Sequence, residues 1–120
     1  MNKKTSLEGK SKWIGYYQYE DLNRDGVIGV FIMNLSVDKK GVVTGECDEP
    51  RTDFGPEALM TLHSTIKDGN YNKLLNHIAF DKVYGYDGHS VYYSGVLDGN
   101  QIVGEWYIGG YTGYWKISKM

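Results

Sequence analysis

Cysteine and proline are scarce in this chain, with one and two copies in 120 residues. A lone thiol, Cys47, rules out an internal disulfide and suits a reducing compartment. No apolar run approaches the roughly 20 residues that a membrane-spanning helix requires. No apolar signal segment follows the amino-terminal lysines either, so the expected setting is cytoplasmic, with no membrane partner. A formal net charge of −2 supplies no basic footprint for a nucleic-acid polymer. Lys3, Lys4, Lys10 and Lys12 gather at one end, where they read as a flexible, solvated tail over residues 1–12. Nucleophile motifs, phosphate-cradling loops and metal-ligand spacings among His63, His77 and His89 are all missing. No enzyme, catalytic residue, metal or cofactor is therefore expected.

Glycine and tyrosine are abundant instead, at 16 and 11 copies. That composition suits short, twisted strands with aromatic faces. The stretch from Val91 to Ile117 sets the register. If Gly109 and Gly110 form a two-residue hairpin loop, Ile108 faces Tyr111, Trp106 faces Gly113, Gly104 faces Trp115 and Ile102 faces Ile117, all on one side. Each tryptophan then lies across from a glycine, large against small. Asp98-Gly99-Asn100 marks another hairpin, which brings Val91, Tyr93, Gly95 and Leu97 to the same inner face.

Upstream, Trp13, Gly15, Tyr17 and Tyr19 alternate as a first strand, and Val27, Gly29, Phe31, Met33, Leu35 and Val37 as a second. With Gly41 in the left-handed position of a three-residue turn, Val43 faces Val37, Gly45 faces Leu35 and Cys47 faces Met33. Asp48 to Pro56 reads as a polar loop. Over residues 57–67 two periods compete: Leu59, Leu62, His63 and Ile66 have helical spacing, whereas Ala58, Met60, Leu62, Ser64 and Ile66 alternate. The β-branched and aromatic neighbours favour the strand. Asp68-Gly69-Asn70 reads as a turn, and Ile78, Phe80, Lys82 and Tyr84 alternate after it. Eight strands in sequence, each one short connection from the next, leave open edges unless the sheet closes. The expected fold is all-β, a single-domain, eight-stranded antiparallel up-and-down barrel over residues 13–120.

Strand count, meander order and two Gly-x-Trp elements, Gly104-Glu105-Trp106 and Gly113-Tyr114-Trp115, resemble the calycin group of small barrels: lipocalins, fatty-acid-binding proteins and avidins. The resemblance implies a barrel that holds a small ligand. Barrel sensors of cyclic nucleotides in bacterial antiviral defence look similar in architecture as well.

Turn lengths divide the barrel into two ends. One collects the tight turns; the other collects Asp21 to Gly26, Asp48 to Pro56, Gly85 to His89 and Gly109-Gly110, and longer loops are where barrels place function. Tyr19, Arg51, Asp53, Lys82, Tyr84 and Tyr111 are expected to cluster there, with Tyr17, Tyr93 and Trp106 one layer deeper. Lys82 has inward parity, where an unpaired ammonium is costly. It either snorkels out of the mouth or anchors a polar or anionic ligand. Asp21, Asn23 and Asp25, followed by Gly26, match the first half of a calcium-binding loop, but Ile32 stands where a bidentate glutamate is needed, and a polar turn is the plainer reading. The functional expectation is a non-enzymatic, small-molecule-binding barrel with its ligand at the loop-rich mouth. The alternative is a filled barrel that acts as a protein-interaction module or homodimer through the outer residues Ile14, Tyr16, Val30, Ile32, Tyr92, Tyr107 and Tyr114, tyrosine being favoured at interfaces.

Overall fold

Eight antiparallel strands close into a barrel in simple meander order. They are β1 (Gly9–Tyr19), β2 (Ile28–Val37), β3 (Val42–Pro50), β4 (Thr61–Asn72), β5 (His77–Tyr84), β6 (Ser90–Asp98), β7 (Gln101–Ile108) and β8 (Tyr111–Lys119). The computed structural model describes residues 7–20, 28–52 and 54–120. Closure is made by β1 and β8, from Trp13 opposite Lys119 to Tyr19 opposite Gly113. Every strand thus has a neighbour on both sides, which removes the exposed edges that an open sheet would carry. Among the described residues no helix is long and apolar enough to cross a membrane.

Alternation sets the core. The β7–β8 ladder pairs Ile108 with Tyr111, Trp106 with Gly113, Gly104 with Trp115 and Ile102 with Ile117, as the sequence requires. The β2–β3 ladder likewise pairs Val37 with Val43, Leu35 with Gly45 and Met33 with Cys47. Trp13, Met33, Phe80, Trp115, Ile78, Ile102 and Ile117 are almost fully buried and fill the body of the barrel. Phe80 and Tyr93 stack at 5.4 Å, and Trp115 meets both edge-on. Its indole N–H is shared between the carbonyls of Ser94 and Glu105, at 3.0 and 3.2 Å.

Four local differences from the sequence reading have physical causes. Strand pairing begins at Gly9, opposite Val37, rather than near Trp13. The polar residues Lys10, Ser11 and Lys12 are satisfied by the ladder, and Leu7 beyond them is buried. Second, β3 runs through Asp48 and Glu49 to Pro50, where a loop was expected. Third, the strand favoured over residues 57–67 is present from Thr61, with Leu62, Ser64 and Ile66 inward, whereas Ala58 and Met60 are exposed in the preceding loop. Fourth, Asp68-Gly69-Asn70 is not a turn. The ladder passes from Lys67 opposite Asp81 to Asn70 opposite Ala79, so β4 carries one extra residue there, a β-bulge with Asp68 at φ +52°. The bulge switches the inward set from Leu62, Ser64 and Ile66 to Gly69 and Tyr71. The chain reverses instead over residues 73–76, where the Asn72 side chain accepts the N–H groups of Leu74 and Leu75 and Asn76 takes φ +53°. Asx turns of this kind hold a reversal without glycine.

Gly104 is the tightest of the inward glycines. A Cβ there would stand 1.9 Å from the Ser94 carbonyl oxygen and 2.5 Å from Gly95 Cα, both backbone. Since the Trp115 indole bonds to that same carbonyl, neither can yield. Gly104→Ala is expected to cost about 1–3 kcal/mol, the range for overpacking a filled core. Gly110→Ala, with nothing within 4 Å of the added carbon, is expected to stay within about 0.5 kcal/mol of wild type. Urea denaturation of the two variants checks the contrast, and equal midpoints would contradict the register.

Candidate functional site

The alternation of β3 continues Val43, Gly45, Cys47 with Glu49, and that of β5 continues Ile78, Phe80 with Lys82. Two opposite charges therefore enter the barrel from strands on either side of β4. Lys82 Nζ lies 2.7 Å from Glu49 Oε1, and both side chains are essentially inaccessible, at 0 and 1 % exposure. The Tyr84 hydroxyl donates to the same oxygen at 2.6 Å, and the Tyr17 hydroxyl donates to Oε2 at 2.8 Å. Around the ammonium stand four rings, with centroids at 4.9 Å for Phe31 and Tyr84, 5.3 Å for Tyr17 and 5.4 Å for Tyr93. In a desolvated setting each such cation–π contact is worth up to about 2 kcal/mol. The carboxylate, the ammonium and the phenols leave no buried side-chain polar atom unpaired among the described residues.

Protonation follows from this packing. Burial alone would pull Lys82 down, but Tyr93, Cys47 and Glu49 around it outweigh that and raise it, so it is an ammonium at neutral pH. Burial, the neighbouring tyrosine and the bonds to Glu49 push Tyr84 far up, and burial with Glu49 does the same to Tyr17. Burial lifts the Cys47 thiol from its ordinary 9.0 to about 11, with Lys82 opposing. The cluster is thus a neutral unit of one cation, one anion and phenols that hold their protons.

Above the cluster, at the end with the longer loops, is a cavity of about 270 Å³. Its walls come from Tyr17, Tyr19, Phe54, Tyr84, Tyr86, His89, Val91, Trp106, Ile108 and Tyr111. Tyr19 meets Trp106 edge-on at 5.0 Å. His89 stacks on Tyr84 at 4.6 Å, and Phe54 meets Tyr84 edge-on at 5.4 Å. The Trp106 indole N–H is committed to the Gln18 carbonyl at 3.2 Å. The volume lies near the lower end of ligand sites, which run from roughly 300 to 1,000 Å³.

Of the residues singled out by sequence, Tyr17, Tyr19, Tyr84, Trp106 and Tyr111 line this cavity, while Tyr93 and Lys82 lie beneath it. Tyr17 and Trp106 line it from deeper in the barrel, being buried where Tyr19 is half-buried and Tyr111 exposed. Lys82 does not snorkel; it is sealed below, with Glu49 as its partner. Arg51 is half-buried at the start of the β3–β4 loop and does not line the cavity. Asp53 and the calcium-like set Asp21, Asn23 and Asp25 lie outside the described residues. Sequence reading missed Glu49, Phe54, Tyr86, His89, Val91 and Ile108 as neighbours of the site. For Glu49 the signal existed, since it falls in phase two residues after Cys47; its charge disguised a strand residue as loop.

No protein-family model matches the chain, and no curated protein matches it in sequence. The architecture and this site are what bear on function.

Removing one partner of a buried ion pair strands the other in a low dielectric. Lys82→Met is expected to destabilise the barrel by about 3–5 kcal/mol, with Lys82→Met/Glu49→Leu recovering much of that loss. A double-mutant cycle in urea measures the coupling, and additive losses would show that the pair is not a unit. The alkaline limb of stability follows from the same cluster. Cys47, Lys82, Tyr17 and Tyr84 all titrate higher folded than unfolded, so their stabilisation is complete below the unfolded values and is withdrawn as pH rises. The Cys47 share declines first, between about 9 and 11, and the lysine and tyrosine shares follow above the ordinary value of about 10. Thermal melts across pH 7 to 11 are expected to fall from about pH 9, and Cys47→Ala removes the earliest part of the decline. A melting temperature level to pH 11 would contradict this assignment.

Proposed function

We propose that this chain is a calycin-like, cytosolic, non-enzymatic barrel that binds one small polar molecule in the cavity at its loop-rich mouth. The observation that carries the reading is the division of the interior. Aromatic and aliphatic side chains fill the body, and above the Glu49–Lys82 cluster lies a cavity walled by rings and floored by two phenols. Rings on several sides favour a flat or compact body, and the phenol oxygens and His89 offer polar contacts at its edge. An anion would have to compete with Glu49 for Lys82, and no lysine or arginine is among the described residues that line the cavity. This weighs against a cyclic nucleotide and for a ligand without phosphate.

A second reading, contact with another protein or a second copy, rests on the outer wall. Ile14 is paired with Ile32 and Tyr16 with Val30 across β1 and β2, and all four are exposed. Tyr92 opposite Tyr107 makes a smaller aromatic patch on β6 and β7. The two readings use different faces and are compatible.

Ile108→Trp separates them. Ile108 is half-buried at the end of β7 and lines the cavity, so a larger ring there fills the space without entering the core. Native mass spectrometry of protein taken from its own cells is expected to show a bound small molecule, lost in Ile108→Trp with the oligomeric state unchanged. A wild-type spectrum with the bare chain mass alone, or the same adduct in both proteins, would count against the cavity.

A further inference from the structure

We infer that the mouth cavity selects a small organic cation of the ammonium class, held by aromatic faces over the phenol-capped Glu49 carboxylate. This rests on the cavity reading above and specifies its ligand.

The first support is hydrogen-bond polarity. Tyr17 and Tyr84 both line the cavity, and the hydroxyls of both donate their protons to Glu49. What remains on these oxygens is lone pairs, so toward a ligand they accept and do not donate. Trp106, the only indole in the wall, has its N–H occupied by Gln18. The donors of these two phenols and of the indole are thus committed away from the cavity. A carboxylate or phosphate would find these three donors already committed, whereas a cation needs none.

The order of charges beneath the floor is the second support. Glu49 touches the two wall phenols directly, and Lys82, which is not part of the wall, approaches the carboxylate at Oε1. The phenols therefore link the cavity to the anion of the pair. Proton donation to a carboxylate polarises a phenol and makes its oxygen and ring more electron-rich, which strengthens attraction for a cation over the ring face. At the rim, Asp87 is held ionised by the backbone and ring N–H groups of His89. It adds negative charge beside the entrance and has no lysine or arginine opposing it in the described wall.

The third support is internal precedent. One layer down, this barrel already surrounds an ammonium, Lys82 Nζ, with four rings and one carboxylate. Tyr17 and Tyr84 belong both to that cage and to the cavity wall. The cavity adds further rings, from Tyr19, Phe54, Tyr86 and Trp106, and no lysine or arginine is among its described wall residues.

Three probes of one shape isolate charge: choline, 3,3-dimethylbutan-1-ol and 3,3-dimethylbutanoate, each carrying a tetrahedral head of four carbon-linked substituents. Titration of the wild-type protein is followed by NMR shifts of the Tyr19, Phe54 and Tyr111 amides and the Trp106 indole N–H. Choline is expected to saturate these shifts with a Kd at least tenfold below that of the neutral alcohol, and the carboxylate to leave them unmoved. Tyr19→Leu, at the partly exposed rim, is expected to weaken choline at least fivefold while changing the alcohol little, and near-native amide spectra confirm its fold. Equal affinity for choline and the alcohol, or a preference for the carboxylate, overturns the cation inference and leaves the cavity as a site. If none of the three moves the mouth resonances, the inference fails and the cavity reading loses its support with it.

Discussion

A lysine and a glutamate share the interior of this barrel with no access to water, and the surrounding structure is arranged to make that tolerable. An isolated buried charge costs many kcal/mol, and even a buried pair is stabilising only when its remaining valences are met. Here they are met by two phenol donors on the carboxylate and by four rings around the ammonium. Those groups come from β1, β2, β3, β5 and β6, so the pair requires the barrel to be closed and correctly registered before it forms. A one-residue slip in any of these strands would send a partner to the outside. The pair thus favours one fold over its neighbours more than it adds to stability.

The same arrangement explains why the barrel is filled below and open above. Trp115 and Trp13 occupy the body, and Gly104 opposite Trp115 gives its ring room. At the mouth, the side chains bonded to Glu49 form a rigid floor, since each phenol is fixed at its hydroxyl. The loops then supply rings that lean over this floor, with Phe54 from one loop and Tyr86 and His89 from another all packed on Tyr84. Rigid elements position the floor, and loops complete the wall.

Most of the fold was legible because strand alternation and turn chemistry agreed. Gly109-Gly110 and Asp98-Gly99-Asn100 fix two hairpins, and the inward residues of β5 to β8 follow from parity alone. Legibility failed where chemistry and position disagree. Asp68-Gly69-Asn70 has turn composition but is a bulge, because both neighbouring strands continue past it and the ladder holds the chain extended. Glu49 has loop composition but is a core residue, because the partner that neutralises it is 33 residues away. The mouth was located from loop lengths and its tyrosines from parity. Its remaining walls, Phe54, Tyr86 and His89, come from loops, whose side chains obey no alternation and can be placed only by tertiary contact.

The bulge in β4 has a consequence for the length of the chain. Against β5, Lys67 and Asn70 face Asp81 and Ala79, and against β3, Ile66 and Gly69 face Gly45 and Val43. On both sides β4 has the same single residue in excess. Excising Asp68 would leave every flanking partnership in place and would also remove a non-glycine residue from left-handed backbone. A deletion elsewhere in β4 would instead shift one flank against both neighbours and turn its inward residues out. Within this strand, Asp68 is the site at which the barrel can shorten by one residue and keep its pairing.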